Sequence, residues 1–184
     1  ANYPGFFTGG GVRSGGPVLV YWPALIDSKY IKETVHFEGQ EIEILPTNQL
    51  GLEEIYYQKQ PIHVPPAPSD ATLTKPLGQL FGARSGDKGG CANIGIWAKK
   101  ESAFSFLNEF LTVEKLKELM PDLAEFQIDR YELPNILSLN FYIHGILQDG
   151  VSSNTRKDGQ AKSLGEYLRA KYIEIPQSLL EERV

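Results

Sequence analysis

The chain carries one cysteine, one methionine, two tryptophans and three histidines in 184 residues, and each shortage removes a class of function. A single cysteine rules out an internal disulfide framework and fits a reducing, cytoplasmic compartment. The histidines, His36, His63 and His144, are scattered and share no ligand spacing with carboxylates, so neither a metal site nor a bound cofactor is expected. The longest apolar runs, such as 17–26, are too short and too polar to span a bilayer, so no membrane partner is expected. A basic start followed by an apolar core and a small-residue cleavage site is also missing. Positive charge is scarce as well. A formal net charge of −5 argues against nucleic acid as a partner, because affinity for a phosphate backbone comes mostly from clustered Lys and Arg.

What is present is the composition of a globular protein, 41% hydrophobic and 22% charged, in a chain long enough for one domain plus an extension. Its most unusual stretch is Ala83-Arg84-Ser85-Gly86-Asp87-Lys88-Gly89-Gly90-Cys91-Ala92-Asn93-Ile94-Gly95. Lying between two apparent strands, 77–82 and 94–98, it reads as a wide glycine-rich turn. Consecutive N–H groups there, with Arg84 and Lys88 beside them, are suited to a phosphate or carboxylate. It is neither a Walker A loop nor a dinucleotide fingerprint, since both spacings are absent. The alternative is a wide turn with solvated charges. The ligand-binding candidates are Arg84, Ser85, Gly86, Lys88, Gly89 and Gly90, joined by Asn93 and Asn140. Asp87, Lys88 and Ser85 are the weak catalytic candidates. Asp87 orients Lys88, acts as a base, or accepts backbone N–H bonds within the turn. Ser85 has no base adjacent in sequence, which favours hydrogen bonding over nucleophilic attack. Cys91 reads as an inert small residue. A second Arg-Ser-Gly, at 13–15, offers a further anion contact through Arg13 or is part of a loose loop.

Residues 1–57 form a β-rich extension. Pro17–Pro23 reads as a strand, and Val35–Phe37 with Ile42–Ile44 alternate about Glu38-Gly39 as a hairpin should. So little apolar surface does not fold alone, so this piece is the end of a larger domain or an interface segment. Five prolines between Gln58 and Pro76 make 58–76 an extended linker. The main domain follows at 77–176, with a charged tail at 177–184. In it Ile94–Ala98 is a strand, Ser102 caps a helix bearing Phe104, Leu107 and Leu111, and Thr112 restarts it until Pro121. Phe126 and Ile128 begin a strand, Ile136–His144 forms the longest one, Leu164, Tyr167 and Leu168 mark a helix, and Tyr172–Ile175 adds an edge strand. From Asn93 this is β-α-β-β-α-β, an α+β ferredoxin-like sandwich with an extra strand before it. Alternation sends Leu137, Leu139, Phe141 and Ile143 to the helical layer. The other face receives Asn93, Trp97, Gln127, Asp129, Tyr131, Ser138, Asn140, Tyr142 and His144. The strands entering at Asn93 and Ile136 are expected to run parallel, which would let Arg84 or Lys88 meet Glu132 and send the loop with Arg156, Lys157 and Asp158 to the opposite end unless its length lets it fold back.

At Ala83–Gly89 with Ala92-Asn93-Ile94-Gly95 the chain resembles the C-terminal ferredoxin-fold domain of the acyclic terpene utilisation (AtuA-like) family. Glu132-Leu133-Pro134, Leu139-Asn140-Phe141, Asp149-Gly150-Val151, and Asp158 with Lys162 add to the likeness, which covers about residues 76–176. Tyr3-Pro4-Gly5-Phe6 and Tyr21-Trp22-Pro23-Ala24 resemble, more weakly, the segment leading into that domain. Gly90-Cys91 and Gln160-Ala161-Lys162 depart from the family's pattern, and the first weakens any carboxylate-dependent role for the turn. The resemblance implies a catabolic context, the breakdown of acyclic terpenoids and related acids as CoA thioesters.

Three functions follow. In the first, the chain is part of a catabolic protein that binds or acts on an acyl-CoA or carboxylate through the glycine-rich turn. In the second, it is a non-catalytic domain whose open sheet face is covered by another subunit, as a homo-oligomer or with a partner. Single-stranded RNA binding on that face is the third, disfavoured by the net charge and by the lack of an Arg/Lys-Gly-aromatic strand motif.

Overall fold

The computed structural model describes residues 16–17, 20, 23–44 and 65–181. The expected strand at Pro17–Pro23, the glycine-rich stretch with Arg13, the Tyr3–Phe6 segment and His63 lie largely or wholly outside them. The chain divides into two compact units, with Trp22–Pro61 forming one and the residues from Ile62 onward belonging to the other.

In the first unit, β1 (Glu33–Phe37) and β2 (Gln40–Ile44) form an antiparallel hairpin with Phe37 opposite Gln40. The turn between them puts Glu38 at φ 49 and Gly39 at φ 76. Positive φ at both turn positions is what the right-handed twist of a two-residue hairpin demands. Val35, Phe37, Ile42 and Ile44 are all exposed.

The second unit is an α+β domain. It contains β3 (Thr72–Pro76), β4 (Gly82–Lys88), β5 (Cys91–Trp97), α1 (Glu101–Phe110), α2 (Val113–Leu119), β6 (Ile128–Leu133), β7 (Ser138–Ile143), α3 (Leu164–Arg169), β8 (Tyr172–Pro176) and α4 (Gln177–Glu181). Four strands make an antiparallel sheet in the order β4-β5-β7-β6, while β3 pairs with β8. From β5 the element order is the β-α-β-β-α-β of the ferredoxin-like arrangement, with α1 and α2 sharing the first helical position. The extra strand β4 takes the edge beside β5, and β8 joins β3 instead of this sheet.

One face of the sheet is dry. Ala92, Ile94 and Ile96 of β5 and Leu139, Phe141 and Ile143 of β7 are buried with Phe104, Leu107, Leu116, Leu164 and Leu168 of the helices. Every second residue of each strand enters this layer, as strand geometry requires. Truncating a fully buried phenylalanine such as Phe104 or Phe141 to alanine would cost about 3–5 kcal/mol. Thr112 caps α2 by accepting the N–H of Lys115 at 3.1 Å.

Several expectations give way to the coordinates. The strands entering at Asn93 and Ile136, β5 and β7, run antiparallel, with Asn93 opposite Tyr142 and Trp97 opposite Ser138. The helical crossover returns β6 parallel to β5, and the tight connection at Pro134–Ile136 then sends β7 back between them, the split arrangement of this topology. Glu132 therefore lies at the end of the sheet away from Lys88, and its carboxylate pairs with Arg130 at 2.6 Å. The loop after β7 leaves beside the β4–β5 turn, where the N–H of Leu147 donates to the carbonyl of Gly90 at 2.9 Å. Part of the expected linker, Thr72–Pro76, is strand: it pairs antiparallel with β8, and the hydroxyls of Thr72 and Thr74 donate to Glu174 across the pair. The expected charged tail begins as α4, where Asp70 accepts the N–H of Ser178 at 2.9 Å and Leu179 is buried. Residue 100 takes the N-cap position of α1 in place of Ser102.

Candidate functional site

The glycine-rich stretch is mostly strand. β4 and β5 pair residue for residue from Gly82↔Trp97 to Lys88↔Cys91, which leaves Gly89 and Gly90 alone as the turn. Gly89 sits at φ 64, and a side chain on Gly90 would meet the carbonyl oxygen of Gln148 at 2.2 Å. Along such an edge strand the N–H groups alternate between ladder and outer edge, so they do not converge on one anion. The expected cradle of consecutive amides is thus replaced by a tight hairpin. Lys88 Nζ donates to the carbonyl of Asp87 at 2.9 Å.

Strand alternation also divides the candidate residues. Ser85 and Asp87 lie on the helix side of β4. There the Ser85 hydroxyl accepts the N–H of Gly165 in the first turn of α3 at 2.9 Å, the contact of a helix cap. The Asp87 carboxylate accepts no hydrogen bond among the described residues, contrary to its expected place inside the turn. Arg84, Gly86 and Lys88 lie on the open side with Asn93, Gly95 and Trp97 of β5 and Asn140 and Tyr142 of β7.

Register arranges this open face in rows. Arg84, Gly95, Asn140 and Tyr131 form one row across the four strands; Gly86, Asn93, Tyr142 and Asp129 form the next. Asn93 Nδ2 donates to Asn140 Oδ1 at 2.8 Å, a diagonal contact between rows. Arg84 is exposed and makes no hydrogen bond or ion pair among the described residues. Trp97 lies across Gly82, where a Cβ would stand 2.4 Å from its indole.

Toward the hairpin end, His144 Nε2 and Asp129 Oδ2 are 2.7 Å apart, and the Tyr142 and His144 rings meet edge to face at 4.9 Å. The hydrogen bond from His144 holds the Asp129 carboxyl below its ordinary range, opposed in part by desolvation. A hydrogen bond with Cys91, reinforced by desolvation and nearby negative charge, pushes the Tyr142 phenol above its usual value. The N–H of Gly145 donates to Cys91 Sγ at 3.4 Å. An ionised carboxylate, an imidazole and a protonated phenol therefore stand side by side. The sequence marked His144 and Asp129 as sharing a face, but no short-range pattern joins residues on different strands. Among the described residues no His, Cys, Asp and Glu side chains cluster for a metal ion, and no helix is long and apolar enough to cross a membrane.

Comparison with protein families matches residues 75–174 to the AtuA ferredoxin-like domain. The chain belongs to that family. The matched span of the AtuA-type domain begins within β3 and ends within β8, so it takes in the whole four-stranded sheet and its open face. No curated protein and no solved structure matches the chain significantly.

Two glycines hold strand positions on the AtuA-type face: Gly86, a ligand-binding candidate from the sequence, and Gly95, which is not among those candidates. Glycine inside a strand weakens it and marks a bulge or a place where another group approaches closely. Gly82 is accounted for by Trp97, and Gly90 by Gln148. Gly86 has nothing within 4 Å of an added Cβ, and Gly95 has only the Arg84 carbonyl at 3.7 Å. These two leave the backbone open beside Arg84, Asn93 and Asn140.

Proposed function

We propose that the open face of the AtuA-type sheet binds a small organic anion, a carboxylate or acyl-CoA intermediate in the breakdown of acyclic terpenoids or related acids. Arg84 is the charge contact, Gly86 and Gly95 provide the room, and Asn93 with Asn140 supplies polar contacts. One observation carries this reading: the two strand glycines with no internal group to accommodate lie beside an exposed arginine that makes no ion pair among the described residues. An uncovered cation beside bare backbone is suited to an anion approaching the strands, and a charged hydrogen bond there contributes about 1.5–3 kcal/mol.

Thermal unfolding with phosphate, CoA, an acyl-CoA and simple carboxylates tests it. A ligand at about 100 times its dissociation constant stabilises the folded state by roughly 2.7 kcal/mol, and Arg84→Ala should remove that gain. No stabilisation by any of these anions would leave the reading without support. A competing reading, in which a second subunit covers the face in a non-catalytic assembly, draws on the exposed Trp97, Tyr131 and Leu133 on that side. Sedimentation of the protein and of Trp97→Ala separates the two.

A further inference from the structure

The two asparagines of this face specify more than charge. Asn93 Nδ2 donates to Asn140 Oδ1, and that single bond leaves Asn93 with an acceptor and Asn140 with donors that take no partner among the described residues. Exchanging N and O in both amides leaves the same complement with the residues swapped, so the conclusion does not depend on amide orientation. Both side chains are half-buried, and no buried side-chain polar atom among the described residues lacks a partner. The remaining groups of the pair therefore face the open side.

The register sets this pair against the open backbone. Gly86 is opposite Asn93, Gly95 is opposite Asn140, and Arg84 is on the far side of Gly95. With strands about 4.8 Å apart, Arg84 and Asn140 start roughly 10 Å apart at the backbone, a gap that the long arginine side chain narrows. A ligand lying over Gly95 meets a cation at one end and an adjacent donor and acceptor at the other.

We propose that the ligand is an anion bearing a secondary amide, whose N–H donates to one asparagine carbonyl while its C=O accepts from the other asparagine's NH2, with its anionic group on Arg84. This rests on the anion-binding reading above and adds the chemical class. An amide carries its donor and its acceptor on two separate atoms, so it can meet an acceptor on one asparagine and a donor on the other at once, whereas a hydroxyl offers both from a single oxygen. A carboxylate alone uses the donors but leaves the acceptor facing its own charge.

Titration calorimetry with N-acetyl-β-alanine and 5-oxohexanoate tests the proposal. The two anions have the same length and carboxylate, and differ by an amide N–H replaced with a methylene. The unmodified protein should bind N-acetyl-β-alanine about tenfold more tightly. Arg84→Ala should weaken both, and the double variant Asn93→Ala/Asn140→Ala, which removes the free acceptor whichever way the two amides are oriented, should erase the preference while leaving a weaker affinity for both. Equal affinities that both fall in Arg84→Ala would overturn the amide and leave the anion reading standing. Binding of neither, or binding indifferent to Arg84→Ala, would overturn both. The ligand comparison on unmodified protein needs no variant to fold.

Discussion

His144 Nε2 and Asp129 Oδ2 stand 2.7 Å apart, on neighbouring strand ends separated by fifteen residues of chain. The hydrogen bond is the leading cause of the lowered Asp129 pKa. A carboxyl whose folded value is depressed contributes stability above its unfolded value, near 3.9, and loses it as pH falls through the folded one. Asp70, held by Ser178, and Glu174, held by Thr74 and Thr72, act in the same direction. Urea unfolding between about pH 6 and pH 3 should therefore show stability falling with acid, less steeply in Asp129→Asn. An identical slope in that variant would show that the pairing does not persist in solution.

Ser85 caps α3, so Ser85→Ala should cost about 1 kcal/mol in denaturant unfolding, the ordinary loss when a helix N–H forfeits a hydroxyl acceptor. Anion affinity on the opposite face should not change. A collapse of binding with stability unaltered would return Ser85 to the ligand site.

The glycines of one motif should separate sharply. Gly90→Ala drives a methyl into the Gln148 carbonyl, a backbone atom unable to swing aside, and should destabilise by about 1–3 kcal/mol. Gly86→Ala meets nothing within 4 Å and should be neutral or stabilising by about 0.4–1 kcal/mol, since it restricts the unfolded chain. Thermal melts of the two variants decide the point, and equal losses would refute the assignment of Gly90 to packing and Gly86 to open surface.

Gly95→Val tests the open backbone directly. A β-branched residue suits a strand and the site has room, so the fold should persist with unfolding changed by less than about 1 kcal/mol. Stabilisation by anions should disappear. Undiminished binding would place the ligand elsewhere.

Much of the architecture was legible because it is written in short-range patterns. Glu38-Gly39 announces its hairpin through the φ values that it tolerates, Thr112 announces a helix start, and the alternation from Leu139 to Ile143 identifies the buried side of β7. Two kinds of error share one origin. The run Arg84–Gly89 reads as a turn because its glycines and charges lack strand propensity, yet pairing with Cys91–Trp97 overrides that preference. The direction of β7 relative to β5 is not legible in either segment, because alternation is identical whichever way a strand runs.

For β5, β7 and the helices the sequence by itself determined which residues point to water and which to the core, because helix and strand periods are properties of a few neighbouring residues. Only the tertiary structure decided that Asn93 meets Asn140, that His144 meets Asp129 and that Arg84 borders Gly95. Those meetings depend on strand order, direction and register, which are set by the burial of a whole face at once and leave no mark within any one segment.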